Sequence, residues 1–274
     1  MKTVGGVASA VRAAIVLAVL APAVCAQDAG DKPKRSPADA PGGATVVCFG
    51  DSTTAPRGKL VVYADRLRGE LPKRGIAVRV VNSGVGGSHT DDARRRFAND
   101  VLAHRPDLVV IQFGINDSAV DVWRDPPATK PRVSKAKYVA NLEFFVDTLR
   151  AQKTSVILMT PNPLRWTEKT RQLYGKPPYE ADETDGFNVL LKDYAEAARG
   201  VARRKGVELI DVYARYESYE ARPDRSIDAL LLDGMHPNAQ GQRLVAELLL
   251  EKAAVLLKAS PGSAGQPAVG RGGP

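Results

Sequence analysis

Five short apolar runs along the chain predict the strands of a single sheet. They cover residues 45–49, 78–82, 108–113, 155–159 and 207–210. Each run is rich in β-branched residues and shows little alternation of apolar with polar positions, which is typical of strands buried on both faces of a parallel sheet. We therefore expect a central sheet with all five strands parallel.

Stretches with helical periodicity separate these runs and predict the connecting helices. They lie near residues 60–74, 91–103, 134–152, 187–205 and 239–257. Thr90, followed by Asp91 and Asp92, predicts a helix start, because a hydroxyl can cap the first turn and two acids favour its dipole. Regular alternation of strand and helix implies right-handed crossovers and a three-layer α/β/α sandwich.

The first 26 residues have the anatomy of a signal peptide. Lys2 and Arg12 carry the only charges, residues 13–24 are almost wholly apolar, and Ala26 supplies a small residue for cleavage. We predict export, to the periplasm or to the outside. Lipid attachment at Cys25 is the less favoured alternative, because a bulky valine precedes that cysteine.

Two further segments have the composition of disordered chain. Residues 27–43 and 259–274 are rich in Pro, Gly and Ala, and they predict a tether after the signal peptide and a tail. The folded domain is expected at residues 44–258. Cleavage after the signal peptide leaves Cys48 as the sole cysteine, so no internal disulfide can form.

Composition argues against two classes of partner. No run in residues 27–274 approaches the ~18 apolar residues of a membrane span, so no stable membrane insertion is expected. The net charge of +8 is scattered, and its densest runs, residues 94–96 and 203–205, fall in predicted helices without interleaved aromatics. Nucleic-acid binding is therefore not expected. The sequence does not indicate an oligomeric state.

Candidate chemistry follows the strands at the edge where such sheets bind ligands, their carboxyl ends. Residues 50–53 (GDST) follow the first strand, residues 82–87 (NSGVGG) the second, and residues 114–117 (GIND) the third. Residues 233–237 (DGMHP) come after the fifth strand. Each segment alone reads as an ordinary turn or helix cap, but the four together in this order favour one catalytic site.

At these residues the chain resembles the SGNH/GDSL hydrolase family. Residues 50–52 match its first sequence block, and Gly87 is the natural second-block glycine in the pattern that begins at Asn82. Residues 114–117 and 233–237 match the later blocks. The resemblance implies a flavodoxin-like, five-stranded parallel sheet in the order 2-1-3-4-5.

The same residue types suit acyl transfer by a serine esterase. Ser52 would be the nucleophile, His236 the base that takes its proton, and Asp233 the group that orients the imidazole. The backbone amides of Ser52 and Gly87 and the side-chain amide of Asn116 would form the oxyanion hole. No cofactor is expected.

Metal and nucleotide chemistries lack their sequence signatures. The three histidines, His89, His104 and His236, are far apart and form no ligand cluster, so no metal is expected. The chain has neither a P-loop nor a Gly-x-Gly-x-x-Gly motif. His89, close to Gly87, is a candidate substrate-binding residue, and a helix-start role for it stays open.

A long connection after the fourth strand bears on the substrate. Residues 161–186 exceed the ~2–6 residues usual there and carry Asn162 and Trp166, which we predict as further substrate-binding residues. A surface insertion without contact to substrate is the open alternative. Export and a polar insertion favour short O-acyl, above all O-acetyl, esters of carbohydrate.

Other functions stay open at this point. A lysophospholipase, a thioesterase or a general short-chain carboxylesterase would fit the same family. An acyltransferase with a sugar acceptor would use the same residues. From another class, a non-catalytic carbohydrate-binding module could share the scaffold, although the complete catalytic set argues against it. The expected partner is a small-molecule or polysaccharide ester.

Overall fold

The computed structural model describes residues 43–259 of the chain. The signal peptide predicted at residues 1–26, nearly all of the tether at 27–43 and the tail beyond residue 259 lie outside the described residues. Those predictions therefore stay predictions. Within the described part, no helix combines the length and apolarity that a bilayer crossing requires.

The central sheet has five parallel strands in the order β2-β1-β3-β4-β5, which confirms the predicted architecture. The strands are β1 (Ala44–Gly50), β2 (Val78–Gly84), β3 (Leu108–Gln112), β4 (Ser155–Met159) and β5 (Glu208–Ile210).

Helices cover both faces of the sheet and give the expected three layers. In the described chain these are α1 (Tyr63–Glu70), α2 (Thr90–Asp100), α3 (Ile115–Ser118), α4 (Lys135–Ala151), α5 (Glu168–Tyr174), α6 (Leu191–Lys205), α7 (Val212–Glu220) and α8 (Ala239–Ala259). Short 3₁₀ turns lie at Pro72–Arg74, Leu102–His104, Gly186–Asn188 and Ile227–Leu230.

Strand β1 contributes side chains to the hydrophobic cores on both faces of the sheet. Successive side chains of a strand point to opposite faces, so Val46 and Cys48 pack with α1 and α8, while Val47 and Phe49 pack with α2, α4 and α6. All four side chains are fully buried. Phe49 meets the Phe145 ring edge-on at 5.6 Å. Burial of a large apolar side chain contributes roughly 1.5–3 kcal/mol, so the strand that precedes the Ser52 turn is held rigidly.

Several predicted boundaries need correction. Helix α1 begins at Tyr63 rather than near residue 60, because Arg57 and Leu60 pair in an isolated bridge. Helix α2 is capped by His89, whereas Thr90 lies inside its first turn and bonds elsewhere. Helices α3, α5 and α7 were not among the predicted elements; α5 lies in the segment expected to be a long loop.

The first and last parts of the described chain meet at the sheet's carboxyl edge. The buried side chain of Gln242, in α8, accepts a hydrogen bond from the backbone N–H of Tyr63 at 2.8 Å. Its amide nitrogen donates to the carbonyl oxygen of Thr53 at 3.1 Å. The last helix is thereby bonded directly to the turn that follows β1.

Candidate active site

The turn after β1 presents Ser52 at the carboxyl edge of the sheet. The Asp51 carboxylate accepts hydrogen bonds from the backbone N–H and the hydroxyl of Thr53, each at 2.8 Å. Burial raises the pKa of Asp51, and these hydrogen bonds oppose the rise. A Cβ at Gly50 would come within 2.8 Å of the Gln112 carbonyl oxygen, and one at Gly84 within 2.3 Å of the Ala55 nitrogen. The glycines therefore let the turn sit tightly between β2 and β3.

The structure brings Ser52 and His236 together across 184 positions of sequence. The hydroxyl oxygen of Ser52 lies 2.9 Å from Nε2 of His236. Nδ1 of the same ring lies 2.8 Å from Oδ2 of Asp233. A hydroxyl, an imidazole and a carboxylate thus form one hydrogen-bonded chain, the arrangement in which a histidine can take a serine's proton.

The loop that carries His236 is shaped by the Asp233 carboxylate. Oδ1 of Asp233 accepts hydrogen bonds from the backbone N–H groups of Met235 and His236, at 3.1 and 2.9 Å. Partial burial alone would raise the pKa of Asp233, but its hydrogen bonds with the backbone and ring of His236 outweigh burial and lower it. The carboxylate therefore stays ionised well into the acid range, and its charge favours an imidazolium beside it.

The predicted oxyanion donors lie on the segments that follow β1, β2 and β3. The backbone N–H of Val85 donates to the Gly50 carbonyl oxygen at 3.1 Å, which fixes the glycine-rich turn at residues 84–87 beside the turn at Ser52. Gly87 has φ +74°, a conformation that glycine adopts without strain. Within residues 43–259, the backbone N–H groups of Ser52 and Gly87 donate to no protein acceptor. Nδ2 of Asn116 donates to the Ser88 carbonyl oxygen at 3.2 Å, next to that turn.

The three residues predicted to bind substrate lie in different settings. His89 caps α2, where its Nδ1 accepts from the backbone N–H of Asp92 at 3.4 Å, which favours the helix-start interpretation. Asn162 is fully buried and donates to the carbonyl oxygen of Met235 at 3.0 Å. This placement favours support of the histidine loop over contact with a substrate.

Trp166 belongs to a small aromatic core of the insertion. Its ring stacks on Phe187 with centroids 4.4 Å apart and planes 10° apart, and its indole N–H donates to the Glu183 carbonyl oxygen at 3.0 Å. The ring is only partly exposed. Packing within the insertion therefore accounts for this tryptophan.

Two residues near the site were missed by sequence reasoning. Trp123 is 47% exposed on the loop after α3, and its indole N–H donates to the Tyr174 hydroxyl at 3.3 Å. Arg132, from the same loop, donates to Oδ1 of Asn116 at 3.0 Å. The available signal was the length of the connection between Asn116 and α4, since long loops at this edge often reach the site.

Comparison with known proteins places the chain in a family. The sequence profile of the GDSL-like Lipase/Acylhydrolase family matches residues 48–244, which is most of the described chain. The chain belongs to this family. Among curated relatives of this GDSL-like protein, "Uncharacterized lipoprotein YqeF" of Bacillus subtilis is 32% identical over 217 residues, which are 74% of this chain and 86% of the relative.

A second curated relative and a solved structure agree with the family assignment. An acetylxylan esterase of Geobacillus stearothermophilus is 29% identical, with 65% of this chain and 73% of the relative covered. A lipase/acylhydrolase structure from Enterococcus faecalis has a TM-score of 0.57 at 27% identity, covering 77% of this chain and 96% of that one.

The acetylxylan esterase structure from Geobacillus stearothermophilus has a TM-score of 0.60 at 24% identity, covering 77% and 94%, and it supports the fold alone. The family profile and the curated relatives identify this GDSL-like protein as a carboxylic ester hydrolase.

Proposed function

We propose that this protein is an exported serine esterase that removes short acyl groups, acetyl foremost, from carbohydrate, with Ser52 as its nucleophile. The observation that carries the proposal is the 2.9 Å contact between the Ser52 hydroxyl and Nε2 of His236, whose Nδ1 is held by Asp233 at 2.8 Å. This geometry lets the imidazole accept the hydroxyl proton as the oxygen attacks an ester carbonyl.

The reaction would run in two steps, acylation of Ser52 and hydrolysis of the acyl-serine. Oγ of Ser52 bonds to the carbonyl carbon, its proton passes to Nε2 of His236, and the tetrahedral oxyanion is met by the amides of Ser52, Gly87 and Asn116. The carbon–oxygen bond to the leaving alcohol then breaks, and the alcohol takes the proton from His236. Water repeats the sequence on the acyl-serine and releases the carboxylic acid.

A small cavity beside the site supports a short acyl group. It shares Asn116 and Met235 with the catalytic surroundings, is closed by Ala119, Tyr179 and Phe187, and has a volume of about 50 Å³. For comparison, an apolar cavity of roughly 150 Å³ holds a benzene molecule. The volume of the cavity therefore favours an acetyl group over a long acyl chain.

An exposed aromatic side chain supports a carbohydrate leaving group. Trp123 presents an exposed ring whose polar N–H is already bonded to Tyr174, and Tyr174 also lines the cavity beside Asn116. An aromatic face of this kind packs well against the C–H face of a sugar ring. Similarity to proteins named acetylxylan esterase points to the same substrate class.

Export rests on the sequence and on one relative. The apolar segment at residues 13–24 has the features of a signal peptide. The relative from Bacillus subtilis is named a lipoprotein, a class of exported protein. Release into the periplasm or the medium would bring the enzyme to polysaccharide esters.

An esterase panel on the wild-type protein and Ser52→Ala tests the proposal. We expect rapid hydrolysis of p-nitrophenyl acetate, a marked fall in rate beyond about four acyl carbons, and acetate release from acetylated xylan. Removing the nucleophile should lower kcat by about 10⁶-fold, with the circular dichroism spectrum unchanged. Efficient cleavage of palmitate esters, or activity retained in Ser52→Ala, would overturn the assignment.

A further inference from the structure

The guanidinium group of Arg132 is held between a carboxylate and the Asn116 side chain. Its Nε and Nη2 atoms donate to the Asp121 carboxylate, with Nη2 at 2.6 Å from Oδ1. Its remaining Nη1 donates to Oδ1 of Asn116 at 3.0 Å. The Asp121 side chain is only 3% exposed and that of Arg132 25% exposed, so the contact lies largely out of water.

These contacts leave one free donor on the Asn116 amide. Its oxygen accepts from Arg132, and one of its two N–H bonds points to the Ser88 carbonyl oxygen at 3.2 Å. Because one neighbour can only donate and the other can only accept, the amide has one permitted orientation. The second N–H is thereby directed by its surroundings rather than by a free rotation of the side chain.

Arginine suits this position for two physical reasons. Its planar fork engages Asp121 through two nitrogens, so the third nitrogen is aimed without loss of further rotamer freedom. A charged donor on the amide oxygen also draws electron density toward that oxygen, which strengthens the N–H groups as donors. Since the carboxylate neutralises the guanidinium charge, orientation of Asn116 is the larger of the two effects.

We propose that Arg132, clamped by Asp121, is a positioning residue that aims the Asn116 amide at the tetrahedral oxyanion. The inference rests on the proposed role of Asn116 as an oxyanion donor. It predicts that Arg132 acts on the transition state through Asn116. Because Arg132 also lines the small cavity beside Asn116, the decisive quantity is kcat, which should change more than KM.

Arg124 offers a matched control for this proposal. Its Nη2 lies 2.7 Å from Oδ2 of the same Asp121 carboxylate, but its side chain is 57% exposed. Among its contacts in the described chain none involves Asn116. Loss of Arg124 therefore removes a comparable ion pair without touching the amide.

A double-mutant cycle with p-nitrophenyl acetate tests the proposal. Asn116→Ala should lower kcat by about 10²–10³-fold. Arg132→Gln should lower kcat by about 10–100-fold with KM changed less than about 3-fold, since Arg132 acts mainly on the transition state. The double variant should be no slower than Asn116→Ala, because Arg132 has nothing left to orient. Arg124→Gln should keep kcat within about 2-fold of wild type.

Several outcomes would overturn the inference. Losses that multiply in the double variant would show that Arg132 acts independently of Asn116, as a structural residue would. An unchanged kcat in Arg132→Gln would do the same. Normal activity in Asn116→Ala would remove the basis of the proposal, yet leave the Ser52 assignment standing on its own variant. Thermal unfolding checks each fold, and Arg132→Lys replaces Arg132→Gln in the cycle if the latter does not fold.

Discussion

Trp123 is the residue on which carbohydrate recognition can be tested separately from chemistry. If carbohydrate is the leaving group, as proposed, Trp123→Ala should lower kcat/KM on acetylated xylo-oligosaccharides about 10-fold, because the variant loses the ring on which a sugar would stack. Hydrolysis of p-nitrophenyl acetate, which offers no sugar face, should stay within about 2-fold. Steady-state kinetics on the two substrates measure the ratio.

A conservative variant separates stacking from the hydrogen bond to Tyr174. Trp123→Phe keeps an aromatic face but loses the indole N–H, so it should retain most of the oligosaccharide activity. Equal losses on both substrates in Trp123→Ala would contradict a platform role and indicate disturbance of the site itself.

Site residues could be predicted from the sequence where they belong to a short local pattern. Asp233 and His236 lie three positions apart on one loop, and Ser52 follows a strand directly, so their patterns were readable. The contact of Arg132 with Asn116 joins residues on a loop whose path no periodicity describes. Asn162 was predicted as a substrate contact from its place in the long connection after β4. Its full burial and its hydrogen bond to the Met235 carbonyl oxygen arise from tertiary packing, which no sequence pattern indicates.

The loop at residues 233–237 carries the proposed base His236, and its backbone rests on the segment that contains Arg165. The Gly234 carbonyl oxygen accepts from the Arg165 backbone N–H at 2.7 Å. Gly234 has φ +79°, and a Cβ there would come within 2.3 Å of the Arg165 carbonyl oxygen. A side chain at this position must therefore push the loop away from the segment on which it rests.

Gly234→Ala is accordingly expected to lower kcat on p-nitrophenyl acetate by about 10²-fold, because a shift of ~1 Å in a catalytic group has that cost. Gly206, at the end of α6, is the control: it has φ +60°, and its Cβ would meet nothing within 4 Å. Gly206→Ala should lose about 1–2 kcal/mol of stability with kcat unchanged. Full kcat in Gly234→Ala would refute this account of the loop.

Elements were predictable where apolar spacing alone defines them. The central strands β1, β3 and β4 stand out because both of their faces are buried, and α4 and α8 because their length gives several turns of periodicity. The edge strands β2 and β5 were recognised from apolar runs although they are only partly buried. Helix α7 was not predicted because its four buried residues include three tyrosines, which are not distinctive of a helix. Helix α5 has only one buried residue, Thr170, so it leaves almost no apolar pattern.

Stability of the whole molecule should carry a pH signature from Asp117. Burial raises the pKa of this carboxyl to about 7 from a usual 3.8, although Thr90 donates to it through its backbone N–H at 2.9 Å and its hydroxyl at 2.5 Å. The folded state then binds a proton that the unfolded chain has already lost. Stability therefore falls as the pH rises from about 4 to about 7.

Asp117→Asn removes this titration and keeps an oxygen that accepts from Thr90. We compare the melting temperature of Asp117→Asn with that of wild type at pH 5 and at pH 8. From the lower to the higher pH, this difference should shift in favour of the variant by a few degrees, about 2–4 °C for each kcal/mol. Thermal unfolding of both proteins at the two pH values measures the gain. Parallel pH profiles would show that Asp117 is not the responsible group.

The bonds from Gln242 to the turn at Thr53 and to Tyr63 have a consequence for biosynthesis. Since His236 and the helix that braces the Ser52 turn both lie far beyond Ser52 in the chain, the proposed hydrolytic centre can assemble only after α8 has been synthesised and has docked.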